Sequence, residues 1–294
     1  VSITVHGNIG TDEEKLQDTT SAGFAYFAVN GDKTDKVKYE KIDITVDGNI
    51  QSYTGKPDDD SPAYASAYGF ATGTDTGVGS GFGTSEMAEF CNVEVNAENI
   101  IAVSKQGSSS AMGMARYVQG YTHDCTVNVK GRIYAENEEG SKDTDEYGYS
   151  NGDAYAYGFM LNTGDCSIEN RKNFENNNVN AGSIEAVTNS EVYAGGAWTS
   201  GFAHQMMSSS FSPDGLSYNN NTVDVENDLS AKANKGDAVV AGFVTSTGND
   251  GRNKDDHIYE NNVSVGGDIK AESNNYAFAS GYAYQSKTHR RNCT

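Results

Sequence analysis

Apolar and polar residues alternate with a period of two in short segments that recur along the whole chain. Such alternation predicts β-strands with one buried face and one exposed face. The segments share a form close to V-x-V-x-G-x-I, as in "ITVDGNI" from Ile44 and "VSVGGDI" from Val263. Seven of them occur, beginning at Ile3, Ile44, Val93, Val127, Val179, Val223 and Val263. The pattern therefore predicts an all-β chain in which one strand is repeated seven times.

A second landmark follows each of these strands: a run of small residues that ends in a glycine and a large apolar residue. The glycines are separated by 46, 44, 45, 43, 41 and 39 residues, and they are Gly23, Gly69, Gly113, Gly158, Gly201, Gly242 and Gly281. The residues after them are Phe24, Phe70, Met114, Phe159, Phe202, Phe243 and Tyr282. Stacked repeats need such a side chain at one position of every copy, because a single repeat cannot bury its own face. We interpret these seven residues as a core stack, in preference to an exposed aromatic strip that binds sugars.

Both landmarks keep the same order in every copy, which indicates a single repeat domain over residues 1–294. The approximate repeat boundaries are 1–41, 42–90, 91–124, 125–176, 177–220, 221–260 and 261–294. Repeats of about 40 to 45 residues fit two architectures. The favoured one is a right-handed parallel β-solenoid (β-helix) of about seven coils, and the alternative is a seven-bladed β-propeller.

Two features favour the solenoid over the propeller. The chain has a single tryptophan, whereas propeller blades usually carry periodic aromatic signatures. In addition, Asn177, Asn221 and Asn261 each stand two residues before the first valine of a strand. Identical amides in stacked coils can hydrogen-bond along the stack, which predicts an Asn ladder. Asparagine also suits turns, so a simpler interpretation of the same column is turn formation.

The strands and turns resemble those of a known group of proteins. Strands such as "VSVGGDI" and turns such as "SGFA" (200–203) and "AGFV" (241–244) resemble bacterial surface β-helix repeats. This group includes the GLUG-like repeats and the passenger or haemagglutinin-like regions of large secreted adhesins. The resemblance extends over the whole chain, although a regular G-L-x-G is absent. It implies an extracellular, repetitive stalk or adhesive module, and it supplies no catalytic residues.

The charge of the chain narrows the range of partners. There are 41 Asp and Glu against 21 Lys and Arg, which gives a formal net charge of −20. Such a charge repels nucleic acid and anionic membrane surfaces, so neither is expected as a partner. No run of 18 apolar residues is present, so membrane insertion through a helix is not expected.

The two ends suggest continuation. The first residues begin a strand, and the last, "RRNCT" (290–294), stop before one. We therefore expect the fold to continue as neighbouring segments of a longer chain or by head-to-tail stacking of copies.

The four cysteines are Cys91, Cys125, Cys166 and Cys293. An even number in a chain of this composition suits an oxidising compartment. Cys91 and Cys125 both stand two residues before the first valine of their strand, in the column of the asparagines. Neighbouring positions of stacked coils lie about 5 Å apart, so we predict a Cys91–Cys125 disulfide. Cys166 is an alternative partner for Cys125.

Residues that could carry other chemistry are sparse. The five histidines are scattered, and we interpret them as surface or turn residues. No C-x-x-C spacing is present, which disfavours zinc. The acidic clusters in the longest insertions are weak Ca²⁺ candidates, more simply explained as solvated loops: Asp58, Asp59, Asp60, Asp143 and Asp145. No cofactor is expected.

These observations together predict a structural or adhesive protein rather than an enzyme. The expected location is extracellular or at the cell surface, as part of a longer fibre or as a subunit that assembles head to tail. The alternatives are a β-helix polysaccharide lyase or hydrolase, and a glycan-binding module. Seven regular repeats favour the structural role, because β-helix enzymes tend to have irregular repeats around their active-site cleft.

Overall fold

The computed structural model describes residues 1–11, 18–27, 38–55, 63–73, 89–117, 121–139, 152–162, 172–191, 195–208, 216–249, 257–286 and 289–291. Within these ranges all regular structure is β-strand, and the strands form three sheets. The same ranges contain no helix that is long and apolar enough to cross a membrane.

The largest sheet, called here the long sheet, has fifteen strands. In chain order they are Ser2–Val5, Ile9–Gly10, Lys38–Thr54, Glu89–Ser104, Tyr121–His123, Thr126–Asn137, Lys172–Glu175, Asn178–Thr188, Leu216–Asn219, Thr222–Val225, Leu229–Ala233, His257–Tyr259, Asn262–Val265, Ile269–Ser273 and His289–Arg291.

The second and third sheets have seven strands each. The second sheet consists of Thr19–Ala22, Ala65–Tyr68, Ser109–Met112, Ala154–Tyr157, Ala197–Ser200, Asp237–Ala241 and Tyr276–Ser280. The third sheet consists of Ala25–Phe27, Ala71–Gly73, Ala115–Tyr117, Met160–Asn162, Ala203–Ser208, Val244–Asn249 and Ala283–Ser286.

Each repeat visits the three sheets in the same order. From the long-sheet strand Thr126–Asn137 the chain enters the second sheet at Ala154–Tyr157 and the third at Met160–Asn162. It then returns to the long sheet at Lys172–Glu175, where the next repeat begins. Equivalent strands of successive repeats are therefore direct neighbours in every sheet.

All strand pairs in the described ranges are parallel. A propeller blade is an antiparallel sheet of consecutive strands. The propeller alternative is therefore wrong. The chain is an all-β protein with parallel sheets, each extended by one repeat at a time.

The corner between the second and third sheets explains the glycine landmark. A Cβ built on Gly69, Gly113 or Gly158 would lie 1.9 Å from the carbonyl oxygen of the equivalent glycine in the next repeat. No side chain fits in that space, so glycine is needed for the close approach of the two backbones. The following residue then donates its N–H across the repeats, as from Phe159 to Phe202 O at 3.0 Å.

Two aromatic columns fill the core beside these corners. In the first, Phe159 stacks on Phe202 at 4.8 Å and Phe202 on Phe243 at 4.9 Å between ring centroids. Of the seven predicted stack residues, Phe70, Met114, Phe159, Phe202 and Phe243 are fully buried, and Phe24 and Tyr282 are partly buried.

The second aromatic column was not identified in the sequence. It contains Tyr39 stacked on Phe90 at 5.0 Å and Phe174 stacked on Tyr218 at 4.9 Å. It meets the first column edge to face, for example between Phe202 and Tyr218 at 6.5 Å. These contacts join the short strand that begins a repeat, such as Leu216–Asn219, to the glycine corner of the preceding repeat, such as Gly201 and Phe202.

A left-handed residue sets the bend that follows each short opening segment of the long sheet. The non-glycine residues with positive φ in the described ranges are Lys41, Asn92, Asp124, Asn176, Asn220 and Glu260, with φ between 52° and 56°. Asparagine and aspartate tolerate this conformation better than other residues with a side chain. The bend places the next residue in the interior, where the asparagines of the predicted ladder begin.

Candidate functional site

Three neighbouring strands of the long sheet carry outward-facing polar side chains just before the left-handed residues Lys41, Asn92 and Asp124. The segments 38–40, 89–91 and 121–123 pair residue by residue. Their middle residues pack into the core and are Tyr39, Phe90 and Thr122. Since successive side chains of a strand point to opposite faces, the flanking residues share the outer face.

Glu89, Cys91 and His123 bring three metal-ligating groups together on this face. Cys91 pairs directly with His123, and Glu89 precedes Cys91 by two residues on the same side of the strand. One carboxylate oxygen, the cysteine Sγ and one imidazole nitrogen lie within 4.8 Å of one another. Cys91 is 5% exposed, whereas the side chains of His123 and Glu89 are 15% and 36% exposed. We call these three residues the Glu–Cys–His cluster.

Both ring nitrogens of His123 face carboxylate oxygens. Nδ1 lies 2.7 Å from Oδ2 of Asp124, and Nε2 lies 3.2 Å from Oε1 of Glu89. The ring also stacks on Tyr121, with 4.3 Å between ring centroids. A neutral imidazole has one N–H and so can donate to only one of the two carboxylates. The other contact needs a cation at the second nitrogen, which is either an additional proton or a metal ion.

Lys38 brings a positive charge to the same carboxylate. Its Nζ lies 3.0 Å from Oε1 of Glu89 and 3.7 Å from Oε2 of Glu40. The hydrogen bond from Lys38, followed by that with His123, lowers the pKa of Glu89. The same bond with Glu89 raises the pKa of Lys38. Because Lys38 and Glu89 are both partly exposed, this pair adds little to stability.

The Cys91 thiol is the least solvent-exposed group of the Glu–Cys–His cluster. Burial raises its pKa in spite of the Lys38 ammonium nearby, so the thiol stays protonated at neutral pH. Asn92 Nδ2 donates a hydrogen bond to Cys91 Sγ over 3.0 Å. A metal ion would reverse the balance, because a coordinated thiol loses its proton.

Asn177, Asn221 and Asn261 form a continuous row inside the fold. Nδ2 of Asn177 donates to Oδ1 of Asn221, and Nδ2 of Asn221 donates to Oδ1 of Asn261, both over 2.9 Å. The same oxygens accept the backbone N–H of the preceding asparagine at 3.0 and 2.8 Å. All three residues are fully buried, so the amides satisfy backbone groups as well as one another.

The predicted Cys91–Cys125 disulfide is wrong. Both cysteines are free thiols, and they occupy different columns. Cys91 pairs with His123, whereas the pairing of Thr126 with Glu94 sets Cys125 beside Val93. Cys125 does occupy the asparagine column, since its backbone N–H donates to Asn177 Oδ1 over 3.1 Å. Burial raises the pKa of its thiol to about 12, which makes it unreactive.

A second polar surface lies on the outer face of the long sheet. Asn180 donates to Asn128 over 2.8 Å, and Asn128 donates to Asn96 over 2.9 Å. Beside this row an open groove of about 400 Å³ is lined by Asn128, Asn180, Lys130, Asp224 and Glu226. Amides and carboxylates in a shallow groove can hydrogen-bond to hydroxyl groups of a ligand.

Several residues singled out in the sequence lie outside the described residues: Asp58, Asp59, Asp60, Asp143, Asp145, Cys166 and Cys293. The interpretation of all histidines as surface or turn residues is wrong for His204. It packs against Tyr157 and Trp198, and burial lowers its pKa to about 4.

Comparison of the chain with protein-family models, curated proteins and solved structures finds no match in any of the three.

Proposed function

We propose that the chain is an extracellular structural or adhesive module built as a right-handed parallel β-solenoid of about seven coils. The observation that supports the proposal is the continuous parallel pairing of equivalent strands in all three sheets. Each strand of the second sheet, for instance, pairs in parallel with its equivalents from Thr19–Ala22 through to Tyr276–Ser280. Such growth by one repeat at a time produces a rod, and right-handed crossovers are the rule for parallel strands.

The contacts inside the fold support a mechanical role for the chain. Backbone ladders in three sheets, two aromatic columns and the asparagine row all connect the same neighbouring repeats. Seven coils at about 4.8 Å give a rod of roughly 30 to 35 Å. The partner we propose is a further copy of the chain stacked head to tail, or the adjacent segment of a longer chain. A net charge of −20 keeps the sides of such rods apart.

Electron microscopy of native material tests this proposal. We expect strings or fibres whose width matches one solenoid, and end-to-end association that increases with protein concentration in size-exclusion chromatography. Isolated particles at every concentration, in native material and in the purified chain alike, would count against the structural role.

The outer groove supports a second candidate, a glycan-binding module. We expect binding on a glycan array to be weakened by Asn180→Ala, and to be unaffected by Thr45→Ala, which changes a residue outside the groove lining. Absence of any bound glycan removes this candidate. Cleavage of acidic or neutral polysaccharides by the chain would instead favour the remaining alternative, a polysaccharide lyase or hydrolase.

A further inference from the structure

We propose that Glu89, Cys91 and His123 form a binding site for a zinc-class divalent transition-metal ion that joins two successive repeats. Glu89 and Cys91 belong to the strand Glu89–Ser104, and His123 belongs to the neighbouring strand Tyr121–His123. The site is independent of the structural or adhesive role proposed above.

The ligand set identifies the class of metal. A thiolate, an imidazole and a carboxylate match the borderline-soft preference of Zn²⁺, whereas Ca²⁺ and Mg²⁺ favour oxygen ligands alone. The ligand atoms already lie within 4.8 Å of one another. Bond lengths of about 2.0 to 2.3 Å to a common centre need only small side-chain rotations from this arrangement.

The surroundings of His123 are an independent indication. Asp124 accepts from Nδ1, which fixes the ring and directs Nε2 at the cluster. Metal-bound histidines commonly have their other nitrogen held by a carboxylate in this way. Nε2 then faces Glu89 Oε1 at 3.2 Å, a contact that either a second imidazole proton or a metal ion can bridge.

Lys38 acts as a competitor for the metal. Its ammonium contacts the Glu89 oxygen that also faces His123, and it is 44% exposed and free to turn toward solvent. Metal binding displaces this ammonium from Glu89. It also replaces the proton on Cys91 Sγ, which passes to the buffer as the S–metal bond forms.

The test is titration of the full chain, without an affinity tag and with its thiols reduced, with Co²⁺ and then with Zn²⁺. We expect one equivalent of Co²⁺ to give a thiolate charge-transfer absorption band, and Zn²⁺ to remove the band by displacement. Cys91→Ser should abolish the band. His123→Asn and Glu89→Gln should raise the Kd by on the order of 100-fold, and Asp124→Asn should raise it by roughly 10- to 100-fold.

Two further variants control for folding and for other ligands. Lys38→Gln should tighten Co²⁺ binding roughly fivefold, since a like charge is removed; this gain cannot come from misfolding. His6→Asn changes an exposed histidine that also pairs with a carboxylate, Asp47, and it should leave the affinity unchanged. The proposal is overturned if no saturable band forms, or if the band survives Cys91→Ser, which would place the thiolate at another cysteine.

Discussion

The carbonyl oxygen of Gly201 occupies the space in which a side chain at position 158 would begin. A Cβ on Gly158 would lie 1.9 Å from that oxygen and 2.8 Å from Cγ1 of Val179. Neither neighbour can move aside easily, because one is backbone and the other is a buried strand residue. The last glycine of this column, Gly281, has no atom within 4 Å of the equivalent point. Gly158 and Gly281 are therefore equivalent positions of the repeat that differ in the space available for a side chain, so they serve as test and control.

We expect Gly158→Ala to lower the free energy of unfolding by about 1–3 kcal/mol or more, because the new methyl group forces two paired backbones apart. Gly281→Ala is the control and should change it by about 0.5 kcal/mol or less. Urea denaturation of both variants, followed by circular dichroism, provides the measurement. Equal stability of the two variants would show that the corner is looser than described.

The imidazole of His204, partly buried against Tyr157 and Trp198, predicts a dependence of stability on pH. Burial lowers its pKa from an ordinary 6.5 to about 4, so between these values the unfolded chain binds more protons than the folded chain. Stability is therefore fully present above pH 6.5 and falls as the pH drops toward 4, by about 1 kcal/mol for each pH unit.

The variant His204→Gln should reduce this loss of stability between pH 6.5 and 4, whereas His6→Gln, at an exposed position, should preserve it. Denaturation midpoints at several pH values for both variants and the parent chain give the comparison. A parent chain whose stability is flat across this window would contradict the assignment.

At the scale of elements, the asparagine row occupies one position of the repeat, and the type of side chain at that position changes from one repeat to the next. The register continues it from Asn177 to Cys125 and then to Val93 and Ile42, so amides give way to a thiol and then to apolar side chains. Where asparagines adjoin, each oxygen accepts two N–H groups of the previous repeat. The row thus ties the bend of one repeat to the bend of the next.

Asn221→Ala should lower the free energy of unfolding by about 1–3 kcal/mol, because the backbone N–H of Asn177 loses its acceptor in a buried environment. Asn180→Ala is the matched control: that amide also belongs to a row, but it is exposed to water, and its loss should cost about 0.5 kcal/mol or less. Chemical denaturation of the two variants measures the difference. A larger loss at Asn180 than at Asn221 would contradict this account of the buried row.

Register explains why the asparagine column was predicted and the Glu–Cys–His cluster was not. The segment "VEVNAENI" contains two valines two residues apart, and both satisfy the strand pattern equally. The prediction began this strand at Val93, whereas the structure pairs Val95 with Val127, which moves Cys91 by two positions. The sequence held a usable signal: the shared "VNA" or "VNV" at Val95, Val127 and Val179 aligns Asn96, Asn128 and Asn180.

The length of the strands adds a further difficulty that periodicity cannot resolve. The register shifts between Val129 and Arg132, where one strand carries more residues than its neighbour. Such a bulge changes the spacing between apolar landmarks without changing their order. The positions of the strands and the order of the repeats can thus be predicted from the sequence. The side-chain contacts between repeats cannot, because one inserted residue shifts the register of a strand pair.

At the scale of the whole molecule, the protection of backbone amides from hydrogen exchange should depend on the number of repeats that flank each strand. The strand Thr126–Asn137 is paired on both sides, whereas Ser2–Val5 and Asn262–Val265 are each paired on one side within the described residues. The inner strand is also more buried. A linear array of this kind is expected to open from its outer repeats.

Hydrogen exchange read by mass spectrometry should therefore show slower exchange in Thr126–Asn137 than in Ser2–Val5 or Asn262–Val265. In conditions that promote end-to-end association, the outer strands should gain protection while the inner strand changes little. Uniform exchange across all repeats would argue for a single cooperative unit instead.

The glycine corners have a consequence for how such a chain can change during evolution. A point mutation at any corner from Gly23 to Gly242 meets the backbone of the adjoining repeat, so on its own it costs stability. An in-frame duplication of a complete repeat brings its own glycine, its own interior side chains and both pairing edges at once. Genes for this architecture are therefore expected to lengthen or shorten by whole copies, with variation in sequence confined to the outward positions and insertions.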